Sequence, residues 1–436
     1  MLVTQPESSE RQASGPRIGL AMAGGGPVGL VYEIGALRAL DEALDGIDFN
    51  RLDVYVGVSA GAVTAALLAN QLKTEQICHI FISSESEEHA LDPQIFLMPA
   101  FGEYWRRLAS VPKLFWEACW RYWRDPLDLG FLQSLTRLGR ALPTGFFDNE
   151  PIHEYLARMW NAPGRTNDFR QLANKLFVVA VDLDTGESVQ FGAPGYDQVP
   201  ISRAVQASTA LPGLYPPVEI DGRYFVDGAL RKTMHASVAL REGLDLLLCL
   251  NPLVPFDARL AVRAGKPTQV GRLVEGGLPV VLSQTFRALI HSRLQVGMKQ
   301  YDTEFERTDV ILFEPDREDA KMFFTNVFSF SGRHWVCEHA YQTTRQDLLS
   351  RRAELEPILA RHGIRMRVDL LEDRDRHYYT GLRDQRGLAA PARYRGRLVR
   401  DLHATLDQLQ DCLGATAGGP SGQEGGCQAV KPNSRG

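Results

Sequence analysis

Three short stretches of the chain carry residue types that could do chemistry. Residues 57–61 read Gly-Val-Ser-Ala-Gly, residues 227–229 read Asp-Gly-Ala, and residues 24–29 read Gly-Gly-Gly-Pro-Val-Gly. A serine flanked by glycines at a strand-to-helix turn projects its hydroxyl above the sheet edge, and the glycines permit the strained backbone and the close strand–helix approach. Ser59 is therefore a candidate nucleophile, with Gly57 and Gly61 as its motif glycines, although the bare pattern also fits a plain tight turn. A glycine cluster brings backbone N–H groups close to something negative. The anion could be a nucleotide phosphate, or an oxygen that is charged only during a reaction.

The nucleotide readings are weak. Residues 24–29 formally satisfy G-x-G-x-x-G, ending on Gly29, but a dinucleotide site expects an acidic residue at the end of the second strand. Here that strand ends in Val58–Ser59–Ala60. A phosphate loop of the Walker type fails as well, because no Gly-Lys-Ser/Thr follows. If the two glycine-rich loops instead lie at the carboxyl ends of adjacent parallel strands, the N–H groups of Gly24, Gly25 and Gly26 face Ser59. Fixed donors stabilise the negative oxygen of a tetrahedral intermediate by roughly 3 kcal/mol each. The loop also opens a helix, whose N-terminal end is positive.

A serine needs a base. None of the ten histidines lies in a context resembling a catalytic loop, and Ser59 follows only two predicted strands, which disfavours a Ser-His-Asp esterase. Asp227 ends a predicted hairpin strand, and Gly228 beside it allows close approach. By itself the Asp-Gly-Ala run fits an ordinary surface turn. An aspartate is also a weak base, with an unperturbed pKa of about 3.9, so it must act directly on a well-placed serine, its pKa raised by partial burial.

The elements that must position these residues follow from periodicity. Residues 17–23 and 52–60 read as buried strands, and 27–44 and 61–72 as helices, with Pro27 suited to a first helical turn. Strand–helix–strand–helix with short connections predicts parallel strands in an α/β sheet. Residues 175–192 read as two strands around a turn at Asp184–Gly186, and 216–230 as a hairpin turning on Asp221–Gly222, a type I′ pair. A further strand is expected over 244–253, and from 255 to 412 a mainly helical C-terminal region. Residues 1–16 and 413–436 read as disordered tails, the second being rich in Gly, Ser and Pro. Residues 85–150 hold Trp105, Trp116, Trp120 and Trp123 among basic residues. They read either as an inserted helical subdomain or as an aromatic–basic lid or lipid-contacting surface.

Taken in order, the glycine loop, Gly-Val-Ser-Ala-Gly and Asp-Gly-Ala resemble the patatin-like phospholipases of bacterial type. Residues 202–230, with their Ala-Leu-Pro turn, resemble the segment leading to that family's aspartate, and the likeness covers roughly residues 17–250. The resemblance implies a three-layer α/β/α sandwich with a mainly parallel central sheet. It also implies a Ser–Asp dyad that hydrolyses acyl esters of lipids or phospholipids through an acyl-enzyme, without metal, histidine or other cofactor. Carried over, Ser59 is the nucleophile, Asp227 the base, and Gly24, Gly25 and Gly26 line the oxyanion hole. A non-catalytic lipid-binding protein on the same fold is the alternative. Many relatives carry Arg or Lys in the glycine loop where this chain has Pro27 and Val28, which removes a carried-over contact to a phosphate head group.

Composition narrows the setting. The chain has 436 residues, 44% hydrophobic and 23% charged, with a net charge of −5, so nothing draws it to nucleic acid. Its six cysteines are scattered without C-x-x-C spacing, which suits reduced thiols. The first residues lack an apolar h-region, and no run approaches the roughly 18 apolar residues of a membrane span. A cytoplasmic protein is expected, peripheral to membranes if at all, with residues 100–125 the candidate for transient membrane contact. His334, Cys337 and His339 lie close in sequence, but positions 334 and 337 share a helix face that 339 does not, so no metal site is expected. Residues 286–301 read as a packed amphipathic helix rather than a membrane anchor.

Overall fold

The structure is a computed structural model, and it describes residues 15–83, 93–96, 98–100, 143–263, 273–324, 332–380 and 382. The chain divides into two units, 1–382 and 383–436. The second unit, both predicted tails apart from residues 15–16, and most of the predicted insertion over 85–150 lie outside the described residues.

The strands are β1 (Ile18–Met22), β2 (Leu44–Asp45), β3 (Val54–Val58), β4 (Lys175–Asp182), β5 (Ser188–Phe191), β6 (Val218–Ile220), β7 (Arg223–Asp227), β8 (Leu246–Leu250), β9 (Asp309–Phe313) and β10 (Arg365–Met366). Eight of them form one mixed, mostly parallel sheet whose hydrogen-bonded order is β6-β7-β4-β3-β1-β8-β9, with β5 also pairing β4. β4, β3, β1, β8 and β9 run parallel, whereas β5 and β7 run antiparallel to β4. β1, β3 and β8 are buried along their whole length, as parallel strands covered on both faces must be. β2 and β10 pair separately. The predicted hairpin turn is present, with positive φ at both Asp221 (51°) and Gly222 (74°).

The pairing on β4 is what positions the site. Residues 178–181 of β4 pair with β5, 175–179 with β3, and 180–182 with β7. Ala180 and Val181 pair with both β5 and β7, so those two strands occupy opposite edges of β4. Val178 and Val179 pair with both β3 and β5 by the same logic. β3 and β7 therefore share one edge. β3 ends with Val58 opposite Val179, and β7, running the other way, ends with Asp227 opposite Ala180.

Alternation along the strands sorts side chains into two layers. Leu20, Met22, Tyr55, Val178 and Leu248 face helices α1 (Gly26–Ala43), α2 (Ala60–Ala69) and α3 (Ile201–Ser208). Ala21, Val56, Val179, Leu247 and Cys249 face α4 (Ala236–Leu240) and the inner side of α5 (Gly277–Glu304). The result is a three-layer α/β/α sandwich. The region beyond residue 255 supplies helices as expected, and it also supplies β9, a strand of the same sheet. Its helix α6 (Arg333–Ser350) packs on α1, where Tyr341 donates to Glu42 at 2.6 Å. Period-2 patterning over five residues was too short a signal beside the long helical runs on either side.

Within the first layer, Glu33 of α1 is fully buried and its Oε2 accepts a hydrogen bond from Thr64 of α2 at 3.1 Å. Burial holds its pKa well above the usual carboxylate range, so the folded protein keeps the proton where the unfolded chain has released it. Stability is therefore lost as pH rises through and above the unfolded pKa. Glu33→Gln, which keeps the shape and remains neutral, is expected to melt above wild type at pH 8 and to lose that advantage near pH 4. A wild type that melts higher at pH 8 contradicts a neutral Glu33.

Candidate active site

β3 feeds directly into α2, and the junction is Ser59, with φ 53° and ψ −122°. Positive φ in a residue with a Cβ costs on the order of 1–3 kcal/mol and persists only where the surroundings over-determine it. They do so here. A Cβ on Gly61 would stand 2.5 Å from the Met22 carbonyl oxygen, and one on Gly57 only 2.4 Å from Ala62 Cα, so both flanking positions admit glycine alone. The Ser59 N–H donates to Ser208 Oγ at 2.8 Å, and that hydroxyl donates to the Val179 carbonyl at 2.6 Å. Ser208 thereby fastens the strained turn to β4.

Asp227 arrives from the opposite direction on the same edge. Its N–H donates to the Ala210 carbonyl at 3.0 Å, and its Oδ1 accepts from the Ala229 N–H at 2.8 Å. Gly228 lies so close to β4 that a Cβ there would be 2.3 Å from the Val179 carbonyl oxygen. Asp227 is 3% exposed and Ser59 is 7% exposed. Burial raises the Asp227 pKa to about 6, opposed by hydrogen bonds from the Ser59 hydroxyl and the Ala229 N–H. The structure thus brings Ser59 and Asp227 together.

The glycine loop lies against both. A Cβ on Gly24 would be 3.1 Å from Ser59 Cβ and 3.0 Å from Ala229 Cβ. The Gly24 N–H itself donates to the Thr233 carbonyl at 3.1 Å. Gly25 is the N-cap of α1, Gly26 has φ 59°, and Pro27 occupies the first turn. Among the described residues the Gly25 and Gly26 N–H groups have no hydrogen-bond acceptor, as the first donors of a helix ordinarily lack one. Gly29 continues the helix, donating to the Gly25 carbonyl at 3.0 Å.

His235 is the histidine nearest to Asp227 in the chain. It is buried, its Nε2 lies 3.3 Å from the Gly228 carbonyl oxygen, and its pKa is pushed down to about 4, chiefly by burial. It is neutral at pH 7 and faces the backbone of the Asp-Gly-Ala turn. Of the histidines in the 334–339 cluster, His334 meets the Tyr378 hydroxyl and His339 the Asp319 carboxylate, while Cys337 is buried. Among the described residues no group of His, Cys, Asp or Glu is arranged to hold a metal.

Neither Ser208 nor Ala210 stands among the candidate site residues that the sequence motifs pick out. The run Ser208–Thr209–Ala210 anchors Ser59 through a side chain and Asp227 through a carbonyl. Its signal in sequence is its place in residues 202–230, where Ala210 opens the Ala-Leu-Pro turn that the family resemblance includes.

Two stability measurements follow from this geometry. Ser59→Gly and Ser59→Ala both remove the hydroxyl but differ in the Cβ, so the glycine variant is expected to be the more stable by about 1 kcal/mol. Equal denaturation midpoints would mean that the turn is unstrained. Ser208→Ala leaves the buried Ser59 N–H without its acceptor and is expected to cost ~1–3 kcal/mol in the same assay.

The family model for patatin-like phospholipase matches residues 20–240. Uncharacterized NTE family proteins of Mycobacterium bovis and Mycobacterium tuberculosis are each 28% identical over 244 residues, which is 55% of this chain and 31% of theirs. The chain therefore spans less than a third of the length of those relatives. Among solved structures, VipD from Legionella pneumophila is similar at 18% identity and a TM-score of 0.34, over 78% of this chain and 67% of that one. The type III effector ExoU is similar at 18% identity and a TM-score of 0.31, over 78% and 53%.

Proposed function

The chain belongs to the patatin-like phospholipase family, and on that premise we propose that it is a serine hydrolase of lipid carboxylic esters, of phospholipase A or lysophospholipase type. The observation that carries this reading is the meeting of Ser59 and Asp227 at adjacent residues of β4, inside the segment the family model covers.

In the proposed reaction Asp227 accepts the Ser59 proton as Oγ attacks the ester carbonyl. The resulting oxyanion takes hydrogen bonds from the Gly25 and Gly26 N–H groups, while Gly24, whose N–H is engaged by Thr233, forms the glycine wall beside Ser59. Collapse of the intermediate expels the alcohol, protonated by Asp227, and leaves Ser59 acylated. Water, deprotonated by the same carboxylate, then releases the fatty acid. The raised Asp227 pKa serves both directions, since a carboxylate titrating near 6 is a stronger base than an ordinary aspartate and a competent acid for the return step. No cation stands at Pro27 or Val28, so a phosphate head group would have to find its contacts elsewhere.

The test is hydrolysis of a short-chain ester and of a phospholipid. Ser59→Ala and Asp227→Asn are each expected to lower kcat/KM about 10³-fold or more, and Ser59→Ala to abolish labelling by a fluorophosphonate probe. The wild-type profile should fall below an acid limb near pH 6 rather than near 4, because the base must be ionised. Full activity in Asp227→Asn would sink the dyad. Absence of both labelling and hydrolysis in the wild type would favour a non-catalytic lipid-binding protein.

A further inference from the structure

Helix α5 is apolar on two sides. Its inner side, with Leu294, Met298 and Tyr301, packs toward the sheet, and Ile290 on the same helix is buried. Its outer side is a second stripe at helical spacing: Leu278 (69% exposed), Leu282 (52%), Phe286 (47%), Leu289 (56%) and Val296 (66%), with Arg293 in line between the last two. A surface helix ordinarily turns a polar face outward, and contiguous exposed apolar residues of this kind mark an interaction surface. The segment 286–301, expected as a packed amphipathic helix rather than a membrane anchor, packs through one face and carries exposed apolar residues on the other. Leu260 and Val262 of the helix Ala258–Arg263 are exposed as well.

Charge indicates what covers it. Between residues 277 and 301 every Lys, Arg, Asp or Glu is a cation; Arg293 and Lys299 are exposed, whereas Arg287 is buried against the Val254 carbonyl and the Phe323 ring. The helix Ala258–Arg263 adds Arg259 and Arg263, while the acids near α5 include Asp257, Glu275 and Glu304, with Glu314 3.9 Å from His291 and with Asp316 and Asp319 lining one cleft with the buried Arg287. Arg293 reaches the Leu230 carbonyl at 3.0 Å, so α5 abuts the turn that follows Asp227. Beside that turn lies a polar cleft of about 230 Å³ whose lining includes Arg231, Lys232, Arg241 and a single acid, Glu187. Among the described residues these three cations have no carboxylate partner. An exposed apolar stripe whose helix carries the exposed Arg293 and Lys299 and abuts the turn beside those cleft cations matches the acyl boundary and head-group layer of an anionic lipid surface.

We propose that the outer face of α5 docks on an anionic lipid bilayer surface, lying in its plane rather than crossing it. No helix among the described residues is long and apolar enough to span a membrane. Docking through α5 sets the Asp227 turn beside the lipid. It does not depend on Ser59 being a nucleophile, so the two ideas can fail separately.

The test is co-sedimentation of the full chain with vesicles of phosphatidylcholine alone and of phosphatidylcholine mixed with phosphatidylglycerol. Wild type and Ser59→Ala are both expected to bind the mixed vesicles, more weakly so at about 0.5 M salt, where charges are screened. The Leu282→Glu/Leu289→Glu double variant, altered only at exposed positions, should bind them at least about tenfold less. Its thermal melt and its hydrolysis of a soluble ester should match wild type. Undiminished vesicle binding by the double variant overturns the proposal, as does a wild type that binds neither vesicle. A wild-type dimer that the double substitution converts to monomer, read by light scattering, would assign the face to a second copy instead.

Discussion

One edge of β4 is shared by two strands that point in opposite directions, and the candidate site depends on that constraint. β3 runs parallel to β4 and stops at Val58, and β7 runs antiparallel and stops at Asp227. Two strands entering one edge from opposite ends must meet with their carboxyl ends facing. The residue after β3 and the last residue of β7 then become neighbours across a single step of β4, from Val179 to Ala180. The Asp221–Gly222 turn sets where β7 begins, and pairing with β4 sets where it ends. A slip of one residue would turn Asp227 to the other face of the sheet, because side chains alternate.

That meeting point concentrates two unfavourable features, a serine at positive φ and a carboxyl group out of water. Each is held by local hydrogen bonds: Ser208 for the serine turn, Ala229 for the carboxyl. Close packing does the rest, since the backbone of Gly61 lies against Met22 and that of Gly228 against Val179, leaving no room for either loop to relax. In the proposed hydrolase, strain and burial retained in one place would serve the reactive hydroxyl and its base.

The helical layers serve the site unequally. On one face α1 and α2 bury nearly everything, including the Glu33–Thr64 contact, and their N-termini form the two glycine-rich loops. On the other face α5 covers the sheet with one side and presents the same apolar chemistry outward on the other. That exposed apolar stripe runs along α5 to Arg293, which meets the turn after Asp227.

Much of the fold was legible in residue pattern. The runs 17–23, 52–60 and 244–253 are continuously apolar because parallel strands are buried on both faces, and the Asp-Gly pair betrays the hairpin by its tolerance of positive φ. The order of glycine loop, Gly-Val-Ser-Ala-Gly and Asp-Gly-Ala was enough to select Ser59 and Asp227 as candidates and to name the family. β9 was not legible, since five residues among long helices carry little periodic signal, nor was Ser208, whose hydroxyl acts on a backbone 149 positions away. Tertiary structure alone decided which Gly24–Gly26 donors remain open, because the Gly24 N–H is taken by a carbonyl from Thr233. It alone also decided which face of α5 is buried, because both faces are apolar and only packing against the sheet distinguishes them.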